Sequence, residues 1–432
     1  MMEKDNNRIK KWEQDLKERV RVSVWGQIRI LIRWLVLALI VGTIVGLLST
    51  VFGKGIVYVT ELRTAYPWLL YGLPLAGLGI VRIYSWEQEH EKSSTNMVLD
   101  AIHAKREIPV KTAPLIFIST ILTHLFGGSV GREGAALQLG GSMGNFLGKC
   151  FRMDENDKRV MIMCGMSAAF SALFGTPMAA AIFSMEVVSV GIMHYAALVP
   201  CVVASYIGGG IAGFFGLSGE HFLIHGIPAF TLFPAGKILL LGVCCAAVSV
   251  LFCGILHKVK VIFHQYLPNA FFRAFVAGIL IIVLTGALGT RDYLGSGMQL
   301  AERAAEGEVL WYAFLLKMLF TAITLGGGFK GGEIVPTLCV GATFGCMMGQ
   351  LLQLSPSLAA ACGMVALFCG VTNSPISSLL LGFELFGFEG APFLLLVIAV
   401  SYMQSGYYGL YHSQKIMYSK VKTQFINRSV KE

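Results

Sequence analysis

Residues 127–134 read Gly127-Gly128-Ser129-Val130-Gly131-Arg132-Glu133-Gly134, and residues 327–333 read Gly327-Gly328-Phe329-Lys330-Gly331-Gly332-Glu333. At a spacing of 200 residues the glycines and the glutamate coincide. A second match follows each of them. Thr176-Pro177 stands before Glu186, with nine residues from proline to glutamate, and Ser374-Pro375 stands before Glu384 at the same nine. Cys164-Gly165 precedes the one and Cys369-Gly370 the other. Two matches in the same order mark an internal repeat. Repeats with interruptions in corresponding positions put a binding site at their interface, near the middle of a bilayer.

The bilayer follows from composition. The chain has 432 residues, of which 55% are hydrophobic and only 14% charged, against about a quarter charged in soluble domains. Apolar stretches include Leu31–Val51, Leu69–Ile83, Ile238–Leu256, Phe271–Leu288 and Phe393–Met403. Several are too short to cross about 30 Å of hydrocarbon, which calls for tilted, re-entrant or broken helices. The expected fold class is therefore an all-α polytopic membrane protein built from two repeats of tilted and broken transmembrane helices. The spacing does not say whether the repeats are inverted.

Lys4, Arg8, Lys10, Lys11, Lys17 and Arg19 precede the first apolar run, and Lys415, Lys420, Lys422, Arg428 and Lys431 follow the last. Basic flanks of this kind predict two cytoplasmic ends and an even number of crossings. They also explain the net charge of +9 without nucleic acid as a partner. Polar breaks near 85–112, 150–158, 216–227 and 290–308 are too short for separate soluble domains. The expected division is a cytoplasmic segment 1–26, a transmembrane domain 27–411 with halves at about 27–215 and 235–411, and a cytoplasmic tail 412–432 without a regulatory domain. The ten cysteines form no C-x-x-C pair, so no metal and no disulfide framework is expected.

Glycine clusters beside a charge inside apolar sequence are costly unless the freed backbone faces protein or water. What they supply is helix N-termini, whose unpaired N–H groups hold an anion without a fixed positive charge. Gly131-Arg132-Glu133-Gly134 opens a predicted helix over Ala135–Leu147, and Gly331-Gly332-Glu333 opens one over Ile334–Leu352. A dehydrated anion could rest between these two ends, on the backbone N–H groups of Ala135–Ala136 and Ile334–Val335. Glu133 and Glu333 then compete with the anion for the same donors, and protonation releases them. The alternative is that each glutamate caps its own helix, worth roughly 0.3–1 kcal/mol. Glu186 and Glu384, at matched positions late in their helices, read as structural equivalents. Arg132 either attracts the anion or pairs with an acid at the membrane surface. Tyr411 is an interfacial anchor or a phenol that donates to the anion. Asn96-Met97 is a helix cap or an anion-coordinating turn.

These residues resemble the CLC family of chloride channels and anion/proton antiporters, from about residue 28 to about residue 425. Gly131-Arg132-Glu133-Gly134 is similar to the family's G-[KR]-E-G-P motif, which carries the gating glutamate, with Ala135 in place of the proline. Gly332-Glu333-Ile334-Val335-Pro336 is similar to G-x-F-x-P, with Ile334 in place of the aromatic, and Tyr411 falls where the family has its pore tyrosine. The resemblance implies a homodimer whose subunits each carry a pathway built from two inverted halves. In place of the family's G-S-G-I-P stands Ser93-Ser94-Thr95-Asn96-Met97. Val187 stands where chloride/proton antiporters carry a relay glutamate, and Glu333 is an added acid. These departures resemble the fluoride/proton antiporter branch, although Val335 occupies the position of that branch's usual threonine.

The resemblance implies proton-coupled fluoride export across the cell membrane. The alternative is a chloride channel or chloride/proton antiporter of the same fold. The expected partners are a halide anion, protons and membrane lipid, with no cofactor. An enzyme using Glu133 and Glu333 as paired acid and base is the remote alternative. The chain has no H-E-x-x-H and no G-x-x-x-x-G-K-[ST] loop to favour it.

Overall fold

A computed structural model of the chain describes residues 24–85, 94–103, 107–217 and 219–431. The basic segment before residue 24, and with it the reading of the N-terminal side, lies outside the described residues, as does Ser93. Sixteen α-helices occur among the described residues. The first eight are α1 Val24–Ala65, α2 Leu73–Ser85, α3 Thr95–Ile102, α4 Thr112–Leu125, α5 Glu133–Cys150, α6 Glu155–Phe174, α7 Pro177–Glu186 and α8 Leu198–Phe214. The second eight are α9 Leu232–Tyr266, α10 Ala270–Leu288, α11 Met298–Ala305, α12 Ala313–Gly326, α13 Ile334–Leu352, α14 Pro356–Thr372, α15 Pro375–Phe386 and α16 Ala391–Gln404.

The ends of these helices follow local chemistry. Asp154 caps α6 by accepting from Asp157 N at 2.8 Å, and Gly175 ends it with φ +71°. Ser355 caps α14, and Asn373 ends it in the same left-handed region. Pro177 and Pro375 open α7 and α15, where a missing N–H costs nothing. Lengths vary as the interrupted apolar runs predicted. Helix α1, with 42 residues, extends about 63 Å, and α4, with 14, only about 21 Å. Six helices among the described residues are long and apolar enough to cross a membrane. Large apolar side chains such as Leu232, Phe214, Trp25 and Leu223 point outward, as hydrocarbon-facing surface does.

The two sets of eight correspond in order. Helix α1 packs on α8 as α9 does on α16, α5 on α6 as α13 on α14, and α6 on α8 as α14 on α16. Three pairs join a helix to its own counterpart: α2 with α10, α5 with α13, and α7 with α15. Such pairs straddle a two-fold axis, and each runs antiparallel. Gly278 meets Pro74 while Gly77 meets Ala274. Gly131 and Gly332 form an antiparallel bridge. An axis that inverts the helices it relates lies in the membrane plane, so the halves are inverted.

At the centre, α6 and α14 are buried on all sides from Val160 to Phe174 and from Ser357 to Thr372. Their close approach to α5 and α13 depends on facing glycines. A Cβ on Gly140 or Gly165 would overlap the other's carbonyl oxygen, and Gly341 and Gly363 repeat the arrangement. Small residues at such crossings let backbones touch without a side-chain layer between them.

Two features depart from the sequence reading. Polar stretch 290–308 contains α11, whose Leu300, Ala301, Ala304 and Ala305 face inward. Helix dominates as expected, but a three-stranded sheet is added, β1 Ser189–Val190, β2 Lys415–Tyr418 and β3 Phe425–Ser429. Strands β2 and β3 form an antiparallel hairpin, and β2 lies parallel to β1 at the end of α7. Strands of two to five residues are too short to leave a readable alternation.

Candidate functional site

The two glycine breaks meet. Gly131 N donates to Gly332 O and Gly332 N to Gly131 O, both at 2.7 Å. Because this bridge sits on the two-fold axis, the paired glycines are spatial counterparts, 201 positions apart. Helices α5 and α13 begin 201 positions apart as well, at Glu133 and Ile334. The sequence alignment at 200 residues therefore needs correction by one. Glu133 corresponds to Ile334, and Glu333 to Arg132. Matching letters favoured the other register because glutamate recurs in both motifs.

Beyond the bridge the helices turn their N-termini toward one another. Gly134 is required by the approach, since a Cβ there would stand 2.8 Å from Gly332 Cα. Helix α5 begins two residues earlier than predicted, so Glu133 occupies its first turn. Glu333 is the N-cap residue of α13, without a side-chain capping bond. The Glu133 side chain is fully buried, and neither carboxylate oxygen has a hydrogen-bond partner. It folds back over Gly131, where a Cβ would lie 2.5 Å from Oε2. Arg132 Nε stands 3.5 Å from Oε1. The amides of Arg132 and Glu133 lie beside the carboxylate, and so does that of Val335 from the opposite half.

The predicted donors divide. Ile334, Val335 and Ala135 are fully or almost fully buried, and their N–H groups fall in helix first turns, which leave donors without intrahelical acceptors. Ala136 is a correction: its N–H donates to Arg132 O at 3.0 Å, closing the first turn of α5, so it is not available. Arg132 donates to Leu173 O at 3.1 Å and to Glu220 at 3.4 Å.

Tyr411 is 1% exposed, and its hydroxyl has no hydrogen-bond partner. That burial removes the interfacial-anchor alternative. Its phenol lies within electrostatic reach of Glu333 and Glu133. Glu333 itself is only partly buried, with Lys260 and Lys330 as neighbouring cations. Asn96 lies inside the first turn of α3, not at its cap, which is Ser94. Its Oδ1 accepts from Ser413 N at 3.1 Å, and this turns its NH2 group away from Ser413. Thr95 Oγ1 reaches Gly134 O at 3.5 Å. Met97 is buried in the core, with no polar contact that ties it to the site.

Glu186 and Glu384 explain their matched spacing. Glu186 accepts from Ile376 N at 3.1 Å and from Ser377 N at 2.8 Å, in the first turn of α15. Glu384 accepts from Met178 N at 2.8 Å and Ala179 N at 2.9 Å, in the first turn of α7. Each caps the other half's helix, which satisfies orphan N–H donors and places an acid at a positive dipole end.

Two residues escaped the sequence reading. Lys317 is fully buried and donates to Ser129 Oγ at 3.0 Å, Tyr293 O at 3.2 Å and Gly295 O at 2.7 Å. It thus braces the first break from behind. A lone lysine inside the apolar run Ala313–Gly326 was the available signal. Gln414, also fully buried, had none.

Inverted halves that hold helix N-termini together around buried polar groups without hydrogen-bond partners define the class, a polytopic membrane protein of broken helices. The family model described as voltage gated chloride channel matches residues 75–406, and the chain belongs to this CLC family. It is 35% identical to the chloride/fluoride channel protein of Pseudomonas syringae pv. tomato over 395 residues, covering 90% of this chain and 87% of that one. It is 26% identical to the H(+)/Cl(-) exchange transporter ClcA of Vibrio cholerae, covering 81% of each. The crystal structure of a CLC-type fluoride/proton antiporter superposes with TM-score 0.85 at 30% identity, over 89% of this chain and 98% of that one. A slow cyanobacterial Cl-/H+ antiporter has the same fold, with TM-score 0.71 at 21% identity, over 86% and 94%.

Proposed function

We propose that this chain exchanges fluoride for protons across the cell membrane and exports fluoride. The observation that carries the reading is the Glu133 carboxylate, fully buried and without a hydrogen-bond partner between the N-termini of two inverted halves, with Arg132 as its neighbouring cation. An ionised carboxylate there takes the N–H donors an anion would use. A protonated one gives them up. Occupation by anion and by proton on Glu133 are thereby linked, and one side chain serves as gate and proton carrier. Glu333, beside Tyr411 but in a more accessible place, is the second proton-handling group, because Val187 offers none at the end of α7.

Fluoride is favoured by the likeness to a fluoride/proton antiporter and to a chloride/fluoride channel protein. It is also favoured by the chemistry of the donors. Fluoride surrenders more hydration energy than chloride, so its site must offer compact donors in fixed places. Ala135, Ile334 and Val335 N–H, the Tyr411 hydroxyl and the Asn96 amide are the proposed set, with Gly131 and Gly134 giving backbone access. Chloride remains the second reading, favoured by Val335 where fluoride members of the family carry threonine. The proposal includes a homodimer in lipid, both ends cytoplasmic, residues 1–26 and 412–432 flanking the membrane domain, and transport without enzymatic turnover.

The test is efflux from liposomes loaded with potassium fluoride or potassium chloride, with protons followed in parallel. Fluoride efflux that drives proton uptake at a fixed ratio is expected. Chloride leaving as fast as fluoride would return the chain to the second reading.

A further inference from the structure

The turn Tyr411–Gln414 carries one proposed anion donor and holds another. Gln414 N donates to Tyr411 O at 3.0 Å and closes the turn. Ser413 N, inside it, donates to Asn96 Oδ1 at 3.1 Å. The orientation of the Tyr411 phenol and of the Asn96 NH2 therefore depends on where this turn sits. Leu410 N, just before the turn, donates to Val371 O at 2.9 Å, and one side chain inside the turn fixes it further. Gln414 Nε2 donates to Val187 O at 2.9 Å and to Thr372 O at 2.8 Å, and Oε1 accepts from Asn373 Nδ2 at 2.9 Å.

Val187 is the C-cap residue of α7, and Thr372 and Asn373 end α14. One fully buried amide thus ties the turn to both halves of the molecule, using both donors and its acceptor. The hairpin that follows adds a backbone clamp, Val430 N to Gln414 O at 3.2 Å. An amide committed on all sides in a dry interior admits one geometry. Small displacements matter here, because donors that replace a hydration shell must be placed within a fraction of an ångström.

We propose that Gln414 is the positioning residue for anion selectivity, acting through Tyr411 and Asn96 without touching the anion. The inference rests on the anion site proposed above, but not on which halide that site prefers. Purified protein in liposomes is compared with Gln414→Met, which keeps length and removes all three side-chain bonds. Asn373→Gly is the second variant; it keeps the left-handed backbone of that position and removes the donor to Oε1. Tyr407→Phe, which cuts the Tyr407–Ser419 contact within the C-terminal segment, controls for general loosening of that segment.

Gln414→Met is expected to raise the KM for the transported anion about tenfold, with kcat changed far less. Its fluoride-to-chloride flux ratio should move toward one from the native value, on whichever side of one that value lies. Asn373→Gly should shift both in the same direction by less, and it decides the matter if Gln414→Met fails to fold. Tyr407→Phe should leave both unchanged. Native KM and flux ratio in both test variants, or an equal shift in Tyr407→Phe, would overturn the assignment. A native protein that prefers chloride would instead overturn the fluoride reading and leave the Gln414 comparison intact.

Discussion

The first and second breaks use one backbone device and carry their carboxylates out of phase. Both present a glycine to the antiparallel bridge, and both turn from it into a helix. In the first break the acid is the first helical residue, sealed from solvent, with neither oxygen hydrogen-bonded and Arg132 3.5 Å away. In the second it is the cap residue one position earlier, partly exposed, with Lys330 and Lys260 nearby. The backbone donors are thus arranged symmetrically while the titratable groups are not. A symmetric site would give anion and proton identical surroundings on both sides. In the function proposed above, displacing one carboxylate by a residue would let a single anion site answer to two proton-handling groups with different access.

The sharpest way to break this comparison is Glu133→Gln. If the sealed carboxylate is the shared position for proton and anion, proton coupling should fall on the order of a hundredfold or more, in the range of lost general acid–base groups. Simultaneous fluoride and pH recordings check it, and coupled flux at the native rate would end the comparison. Glu333→Gln should cost less. A loss of about tenfold in turnover, equivalent to about 1.4 kcal/mol in the barrier, is expected from a second group that is partly accessible. Size-exclusion chromatography should return the native assembly, separating a transport defect from a folding one.

The glutamates at the ends of α7 and α15 offer a control within the same symmetry. Glu186→Gln and Glu384→Gln remove charge from reciprocal helix caps, so each should lower stability by about 1–3 kcal/mol. Glu186 also accepts from the Ser377 hydroxyl and is the more deeply buried of the two, so its loss should be the larger. Thermal unfolding in detergent measures this, and transport per folded protein should be unchanged. The smallest expected effect is a gain. Val335→Thr adds a hydroxyl of nearly the same volume beside the Glu133 carboxylate and should raise the fluoride-to-chloride ratio a few-fold, on the order of 1 kcal/mol. An unchanged ratio would mean that position 335 acts through its backbone alone.

What the sequence by itself determined was whatever leaves a local mark. Low charge and interrupted apolar runs announced a membrane protein with broken helices. Repeated glycine and proline motifs announced two halves, and a glutamate among glycines announced Glu133. The equal spacing of Glu186 and Glu384 from their prolines was enough to read them as structural counterparts. Only the tertiary structure decided which partners those groups meet. It moved the repeat register by one, since an antiparallel bridge pairs residues by position on an axis and not by letter. It took Ala136 out of the donor set by giving its N–H to Arg132, and it buried Tyr411, whose place at the end of the last apolar segment favoured an interfacial anchor. It also made Gln414 and Lys317 into braces, although neither belongs to a motif. The physical reason is that hydrogen bonds across an inverted repeat join groups as much as 317 residues apart. No local periodicity encodes such a partner, because the partner is set by how the two halves cross.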